Sequence, residues 1–318
     1  MKRVLRVLLR AAGIYLALLI TLAVGTATYY SLYYRTNGSL MVDGMERQYL
    51  LHVSKKYDRS KPAPLVISLH GAMNWPGFQR DTTRWNALAD EQGFLVVYPA
   101  GTGFGPRTWD MNGYGDPAKM KDVRFIAALI DKLRAEYSID ASRIYADGLS
   151  NGGGMAFMLS CALADRIAAF GTVSAAQLLP QSVCRDAPPA PVISFHGTRD
   201  RIVPYEGGQP WIAPLPFPDQ REWTAAWAAR NRCAPKPTLT MAAADVQAME
   251  YTGCADNASV VLYTVQGGGH QWPGGRPVPL WLVAQMTLMG LPIGPYADSV
   301  NATRTLWAFF RAHPLRQK

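Results

Sequence analysis

The 318-residue chain is 49% hydrophobic and only 17% charged, with 32 Lys and Arg against 23 Asp and Glu and a net charge of +9. That apolar content excludes a disordered or collagen-like chain and suffices for one large α/β domain or two ordinary ones. Four of the basic residues (Lys2, Arg3, Arg6 and Arg10) precede everything else, leaving 28 basic against 23 acidic residues, +5, over the other 308; with no basic run and no RNA-binding aromatic motif, nucleic acid is not an expected partner.

Residues 11–34 carry no charge. Twenty-odd helical residues span about 30 Å, the thickness of a bilayer's hydrocarbon core. Basic residues ahead of the segment hold that end in the cytoplasm, and Tyr29, Tyr30, Tyr33 and Tyr34 suit the far interface. Residues 1–35 therefore read as an uncleaved membrane anchor or as a signal peptide cut after Ala27, where Gly25 and Ala27 are small enough. Either way 36–318 is expected outside the cytoplasm, secreted, periplasmic or held at the membrane by the N-terminal helix. Cys161, Cys184, Cys233 and Cys254 form an even set beyond that segment, in a compartment where disulfides persist. Three connectivities are open, and nearest neighbours, Cys161–Cys184 and Cys233–Cys254, are the expected pairs. The spacing has no C-x-x-C and no Cys/His cluster, so neither a metal nor a catalytic thiol is expected.

Past the anchor, 39–53 reads as two short strands around Asp43-Gly44. Runs 64–69 (PLVISL) and 94–98 are continuous apolar stretches, the mark of strands buried on both faces, with a helix around 84–91 between them. A Gly/Pro/Trp-rich loop over 99–121 precedes a helix capped by Asp122, with Val123, Ile126, Ala127, Ile130 and Leu133 at helical spacing. Further strands are expected at 143–146, 168–173, 191–195 and 260–265, helices at 152–164 and around 307–310, and loops at 188–191 and 210–218. Buried strands alternating with helices predict a single α/β domain over 36–318, a mostly parallel central sheet with helices on both faces. The apolar stretch 279–292 reads either as a buried helix or as a hydrophobic lid that meets substrate or membrane. Gly101-Thr102-Gly103-Phe104-Gly105 lacks a following helix, so no dinucleotide or other cofactor is expected.

Asp147-Gly148-Leu149-Ser150-Asn151-Gly152 follows a strand and opens a helix. Glycines on both sides of Ser150 permit the strained turn that lifts a nucleophilic hydroxyl out of the sheet, and the helix N-terminus favours a developing oxyanion. A serine needs a base held by a carboxylate. Of five histidines, His270 stands in a glycine-rich loop directly after the last strand and is the best base; His52 lies in a strand pattern, His313 near the C-terminus, and His70 and His196 end buried strands. Asp200 lies on the loop after the preceding strand, completing the order Ser150…Asp200…His270 found in α/β-hydrolases. His196 is read as a structural hydrogen-bonding group and Asp147 as a supporting one. The oxyanion donors expected are the backbone N–H groups of Asn151 and Ala72, with Met73 the alternative to Ala72. Trp75, Trp109 and Trp272 flank these loops and are candidates for lining a substrate pocket.

Taken in order, PLVISLHG (64–71), the helix start at 122–126, RIYADGLSNGGGM (143–155), HGTRDRIVPY (196–205), NRC (231–233), YTGC (251–254), LYTVQGGGHQWPGG (262–275) and NATRTLWAFFRAHPL (301–315) resemble the polyhydroxybutyrate depolymerase-like esterases, grouped with the feruloyl and acetylxylan esterases of carbohydrate esterase family 1. The resemblance implies an α/β-hydrolase fold, Ser150 as nucleophile, Asp200 as acid, His270 as base and a Cys233–Cys254 bridge. It implies a serine ester hydrolase acting on a small or oligomeric ester without a cofactor. A serine peptidase on the same fold, or a non-catalytic surface binding protein, are the rival readings. Arg124, Gly154 and Gln271 depart from the family pattern, where Gly, Met and Thr are usual, and the apolar stretch after Gly275 looks longer than in relatives. No polymer-binding or carbohydrate-binding module is recognised, so attack on crystalline polymer is not expected.

Overall fold

The computed structural model describes residues 2–103, 107–110, 120–210, 213 and 215–315. It divides into two compact units, 1–35 and 36–318. The first is a single helix, α1 (Lys2–Tyr33). Within it, Leu8–Thr28 is a 21-residue span with a mean hydropathy of 2.0, long and apolar enough to cross a bilayer. Ile14, Tyr15, Leu16, Leu18 and Ile20 are all exposed. An apolar surface on every side is the pattern of a membrane span and not of an amphipathic surface helix. The side chains of Tyr29 and Tyr30, expected at the far interface, lie outside the described residues.

In the second unit the apolar runs become strands because they have two faces to bury. Strands β1 (Gly38–Val42), β2 (Met45–Val53), β3 (Ala63–Leu69), β4 (Leu95–Pro99), β5 (Ile139–Leu149), β6 (Ala169–Val173), β7 (Val192–Gly197), β8 (Thr238–Ala243), β9 (Val246–Tyr251) and β10 (Val260–Val265) form one sheet. Its order is β1-β2-β4-β3-β5-β6-β7-β10-β9-β8. The central strands β4-β3-β5-β6-β7-β10 run parallel, and an antiparallel pair flanks each side. In β3, Leu65, Ile67 and Leu69 enter one core and Val66 the other; in β4, Leu95 and Val97 part from Val96 and Tyr98 in the same way. Period-two alternation thus feeds both layers at once.

One layer holds α4 (Lys121–Glu136), α5 (Asn151–Ala162) and α6 (Gln220–Arg230); the other holds α3 (Trp85–Gln92) and α8 (Ala302–Ala312). The aromatic load is heavy on both sides. Phe157 and Phe170 meet Trp227 edge-on, while Phe310 stacks on Tyr145. Each such ring, fully buried, contributes about 1.5–3 kcal/mol relative to exposure.

Three expectations change. Helix α4 begins at Lys121 with Met120 in the capping position and no side-chain cap, so Asp122 is not the cap. Instead it turns inward and pairs with Arg47 while accepting from Asp110 N–H at 2.7 Å. A buried guanidinium, stacked over Phe125 at 4.1 Å, captures the carboxylate more strongly than the helix's own N–H groups could. The stretch 279–292 does not form a buried helix: α7 (Leu280–Leu288) exposes Leu280, Trp281 and Leu288 and buries only Leu282. Helices α2 (Pro76–Thr83) and α6 and the β8–β9 hairpin lie in stretches for which the sequence patterns predicted no element.

Disulfides join Cys161 to Cys184 and Cys233 to Cys254. The second closes a sequence separation of 21 residues and ties the end of α6 to the end of β9. Replacing Cys233 and Cys254 together by serine should cost about 2–4 kcal/mol. Thermal unfolding should show the drop, and reductant should lower the Tm of the native protein further than that of the double variant.

Candidate active site

Ser150 joins β5 to α5 with φ 56 and ψ −122, a conformation that strains any side-chain-bearing residue. Its backbone is fastened from every side. The Ser150 N–H donates to Val173 O at 2.9 Å, and its carbonyl accepts from Gly153, Gly154 and Ala176 N–H groups at 2.9, 3.1 and 2.9 Å. A Cβ at 148 would collide with the Gly152 carbonyl, and one at 152 with the Leu69 carbonyl. The spacing G-x-S-x-G is therefore a steric requirement of the turn.

Asp200 leaves the end of β7 on a loop stitched to the loop after β10. Arg199 N–H donates to Gly268 O at 2.8 Å and Gly267 N–H to Thr198 Oγ1 at 2.9 Å. The carboxylate is buried. Its Oδ1 accepts from Ile202 and Val203 N–H groups at 3.0 and 2.8 Å, and its Oδ2 accepts from His270 Nδ1 at 2.8 Å. Burial alone would raise its pKa, but the adjacent His270 and His196 hold the carboxyl well below the usual carboxylate range. With Nδ1 donating to Asp200, Nε2 of His270 is the nitrogen left to accept a proton. His196 lies 3.4 Å from Asp200 Oδ2 through Nε2, which also meets Val203 O at 2.8 Å.

The loop after β3 passes directly beside the turn: a Cβ at Gly71 would lie 3.5 Å from Ser150 Cβ. Met73 N–H, the alternative to Ala72 as second oxyanion donor, donates to Thr108 Oγ1 at 3.3 Å. His70 is buried and fixes this loop, meeting Gly71 O through Nδ1 at 2.7 Å and accepting Gly101 N–H on Nε2 at 3.0 Å. Burial lowers its pKa to about 4, so it is a neutral strut.

Trp109 and Trp272 are not walls of an open pocket. Trp109 is 2% exposed and donates its indole N–H to His70 O at 2.8 Å; Trp272 is 1% exposed and donates to Thr303 Oγ1 at 2.9 Å. Trp109 belongs to the core on one face of the sheet and Trp272 to the core on the other. Trp75 is also buried and stands at the start of α2. Residues 104–106 and 111–119 of the adjoining loop, including Phe104 and Gly105, lie outside the described residues.

Three contacts carry no local sequence signal. The Asn151 carboxamide accepts from Trp109 N–H at 2.8 Å and donates to Trp109 O at 3.4 Å, bracing the start of α5. Gln271 donates to Gly294 O at 2.9 Å and accepts Val278 N–H at 3.2 Å, clamping both ends of the excursion that carries α7. His270 N–H itself donates to Ile293 O at 2.6 Å. The inner side of that excursion joins an apolar cluster with Phe217 and with Ala176, Ile202 and Val203, the last three of which neighbour Ser150 or Asp200 in the chain or through hydrogen bonds. Among the described residues, no group of three or more His, Cys, Asp or Glu side chains is placed to hold a metal ion.

Asp147, three residues before Ser150, accepts from Ser68 Oγ at 2.6 Å, and Ser68 accepts from Gln79 at 3.1 Å. Complete burial raises its carboxyl to about 8, against the lowering effect of the Ser68 bond. Between about 3.9, the unfolded value, and about 8 the folded protein holds a proton that the unfolded chain releases. Stability should therefore fall as pH rises through that window, by up to about 1.4 kcal/mol per pH unit. Asp147→Asn removes the titration, so its Tm should fall less than the native Tm between pH 5.5 and 7.5; parallel slopes would refute this.

Residues 49–182 match the family described as Esterase PHB depolymerase. The chain is 36% identical over 156 residues to the bifunctional acetylxylan esterase/xylanase XynS20E of Neocallimastix patriciarum, covering 49% of this chain and 22% of that protein. It is 30% identical over 278 residues to a probable feruloyl esterase C of Aspergillus oryzae, covering 84% of each. The chain thus spans about a fifth of the length of the first relative and most of the second. The solved acetyl xylan esterase from Aspergillus awamori superposes with a TM-score of 0.54 at 16% identity, over 77% of this chain and 94% of that one. That similarity supports the α/β-hydrolase fold.

Proposed function

Because the chain belongs to the esterase PHB depolymerase family, we propose that it is an exported serine hydrolase that cleaves carboxylic esters through Ser150, His270 and Asp200. The observation that carries the reading is the His270 Nδ1–Asp200 Oδ2 contact at 2.8 Å on loops that leave the same sheet as the strained Ser150 turn. Ser150 Oγ attacks the ester carbonyl as its proton passes to His270 Nε2. The Ala72 and Asn151 N–H groups hold the oxyanion, with the N-terminus of α5 adding its dipole. His270 then returns the proton to the leaving alcohol, and water frees the acyl group by the reverse exchange.

Two disulfides and the apolar helix α1 support export. Where α1 is retained, it tethers the hydrolase to the membrane. The relatives named above for feruloyl and acetylxylan esters share the ester bond and differ on its acyl side, so the proposal is made at the level of that bond. A fluorophosphonate probe and matched panels of p-nitrophenyl esters and fluorogenic dipeptides test it. Covalent labelling with ester turnover is expected; turnover of peptides alone, or no labelling, would overturn it.

A further inference from the structure

Residues 174–180 leave the end of β6 beside the proposed nucleophile and cannot back away from it. Ala176 N–H donates to Ser150 O at 2.9 Å, and a Cβ at Gly153 would lie 2.7 Å from the Ala175 Cβ. The turn is tight: Ser174 has φ 46, and N–H groups of Gln177 and Leu178 donate two residues back, each at 3.1 Å. Within it Gln177 is 3% exposed, yet among the described residues neither its amide oxygen nor its amide nitrogen has a hydrogen-bond partner. Two other buried amides near the site behave differently. Asn151 and Gln271 use both amide atoms.

An unpaired buried carboxamide loses its hydration without return, and an apolar residue would fill the same space at less cost. Its chain neighbours Ala176 and Leu178 pack with Ile202 and Val203 beside Asp200, and with Val283 and Met286 of α7. A buried donor and acceptor thus sit in the chain between two residues of that apolar cluster, on the turn tied to the nucleophile's carbonyl, where a substrate group could satisfy them.

We propose that Gln177 is a specificity-determining residue whose carboxamide hydrogen-bonds a hydroxyl group carried by the substrate near the scissile ester. A hydroxyl both donates and accepts, so it can satisfy either amide atom. Loss of such a bond inside a desolvated site discriminates more sharply than loss of apolar contact. This inference rests on the ester-hydrolase reading above.

The test compares the full-length protein with Gln177→Met and Gln177→Leu, replacements of similar volume. Three substrate pairs differ by one hydroxyl and separate its possible sources. They are p-nitrophenyl 3-hydroxybutyrate against butyrate, methyl 3-hydroxy-3-phenylpropanoate against 3-phenylpropanoate, and a monoacetylated xyloside against its analogue lacking the adjacent hydroxyl. In one pair the selectivity ratio, kcat/KM with the hydroxyl over kcat/KM without it, should fall about 10- to 100-fold in both variants. Both variants should melt at or above the native temperature, since each removes an unpaired buried amide. Ratios unchanged in all pairs, including the case where both members fall together, would overturn the proposal, as would a lower Tm with no change in ratio. Absence of turnover on every ester, with no fluorophosphonate labelling of the native protein, would instead overturn the hydrolase reading and this inference with it.

Discussion

Ser150→Ala is expected to lower kcat for ester hydrolysis by about 10⁶ while leaving the fold intact, because nucleophile, base and orienting carboxylate act as one unit. Alanine keeps the Cβ, so it inherits the strain of φ 56 and ψ −122 and should melt close to the native temperature. Ser150→Gly should be equally inactive and yet more stable by about 1–2 kcal/mol, because glycine adopts positive φ without penalty. The pair separates chemistry from strain: activity follows the hydroxyl, stability follows the Cβ. Thermal melts and p-nitrophenyl ester assays on both variants provide the check. More than a tenth of native activity in Ser150→Ala would assign the hydrolysis to a different group.

That separation matters because the turn stores its strain in a fully tied backbone. Four hydrogen bonds to Ser150 N–H and C=O, from the end of β6, the loop after it and the start of α5, hold a conformation the residue would not choose alone. The cost is offset by the two-sided core, where strands β3, β4, β6 and β7 are buried along their whole length. A sheet so placed can carry an unfavourable residue at the end of a central strand without losing the fold.

The strands of that core were readable in the sequence for the same reason that they are stable. Continuous runs such as 64–69 and 94–98 have no polar face, and the loops that bear Ser150, Asp200 and His270 each follow one of them. The hairpin β8–β9 was not readable. Strand β8 is exposed along almost its whole length, so burial leaves no mark on it, and Ala244-Asp245 lacks the Gly or Asn of a hairpin turn. Helix α6 has its signals in Asp219, whose carboxylate caps it, and in Trp223 and Trp227 one turn apart, but the prolines just before it are equally the mark of a loop. At the site, local patterns located the candidate residues and missed the links among their loops. Asn151 to Trp109 and Gln271 to Gly294 span 42 and 23 residues, and a pairing across such distances has no periodicity to betray it.

Asp200→Asn should lower kcat by about 10⁴ with little change in KM, a larger loss than the near-isosteric change suggests. The geometry sets the direction. Oδ1 accepts two backbone N–H groups, from Ile202 and Val203, and only an oxygen can take that place. An asparagine must therefore turn its NH₂ toward His270, where the carboxylate now accepts from Nδ1 at 2.8 Å. Facing a donor, Nδ1 becomes the acceptor and the ring proton moves to Nε2, so the lone pair needed to take the Ser150 proton is gone. The same substitution removes the negative charge that stabilises the imidazolium in the transition state. Steady-state kinetics give the fall in kcat, and nitrogen NMR of the imidazole reports the tautomer directly. A loss below about tenfold, with Nδ1 still protonated, would show that Asp200 does not orient His270, and the role would pass to another carboxylate.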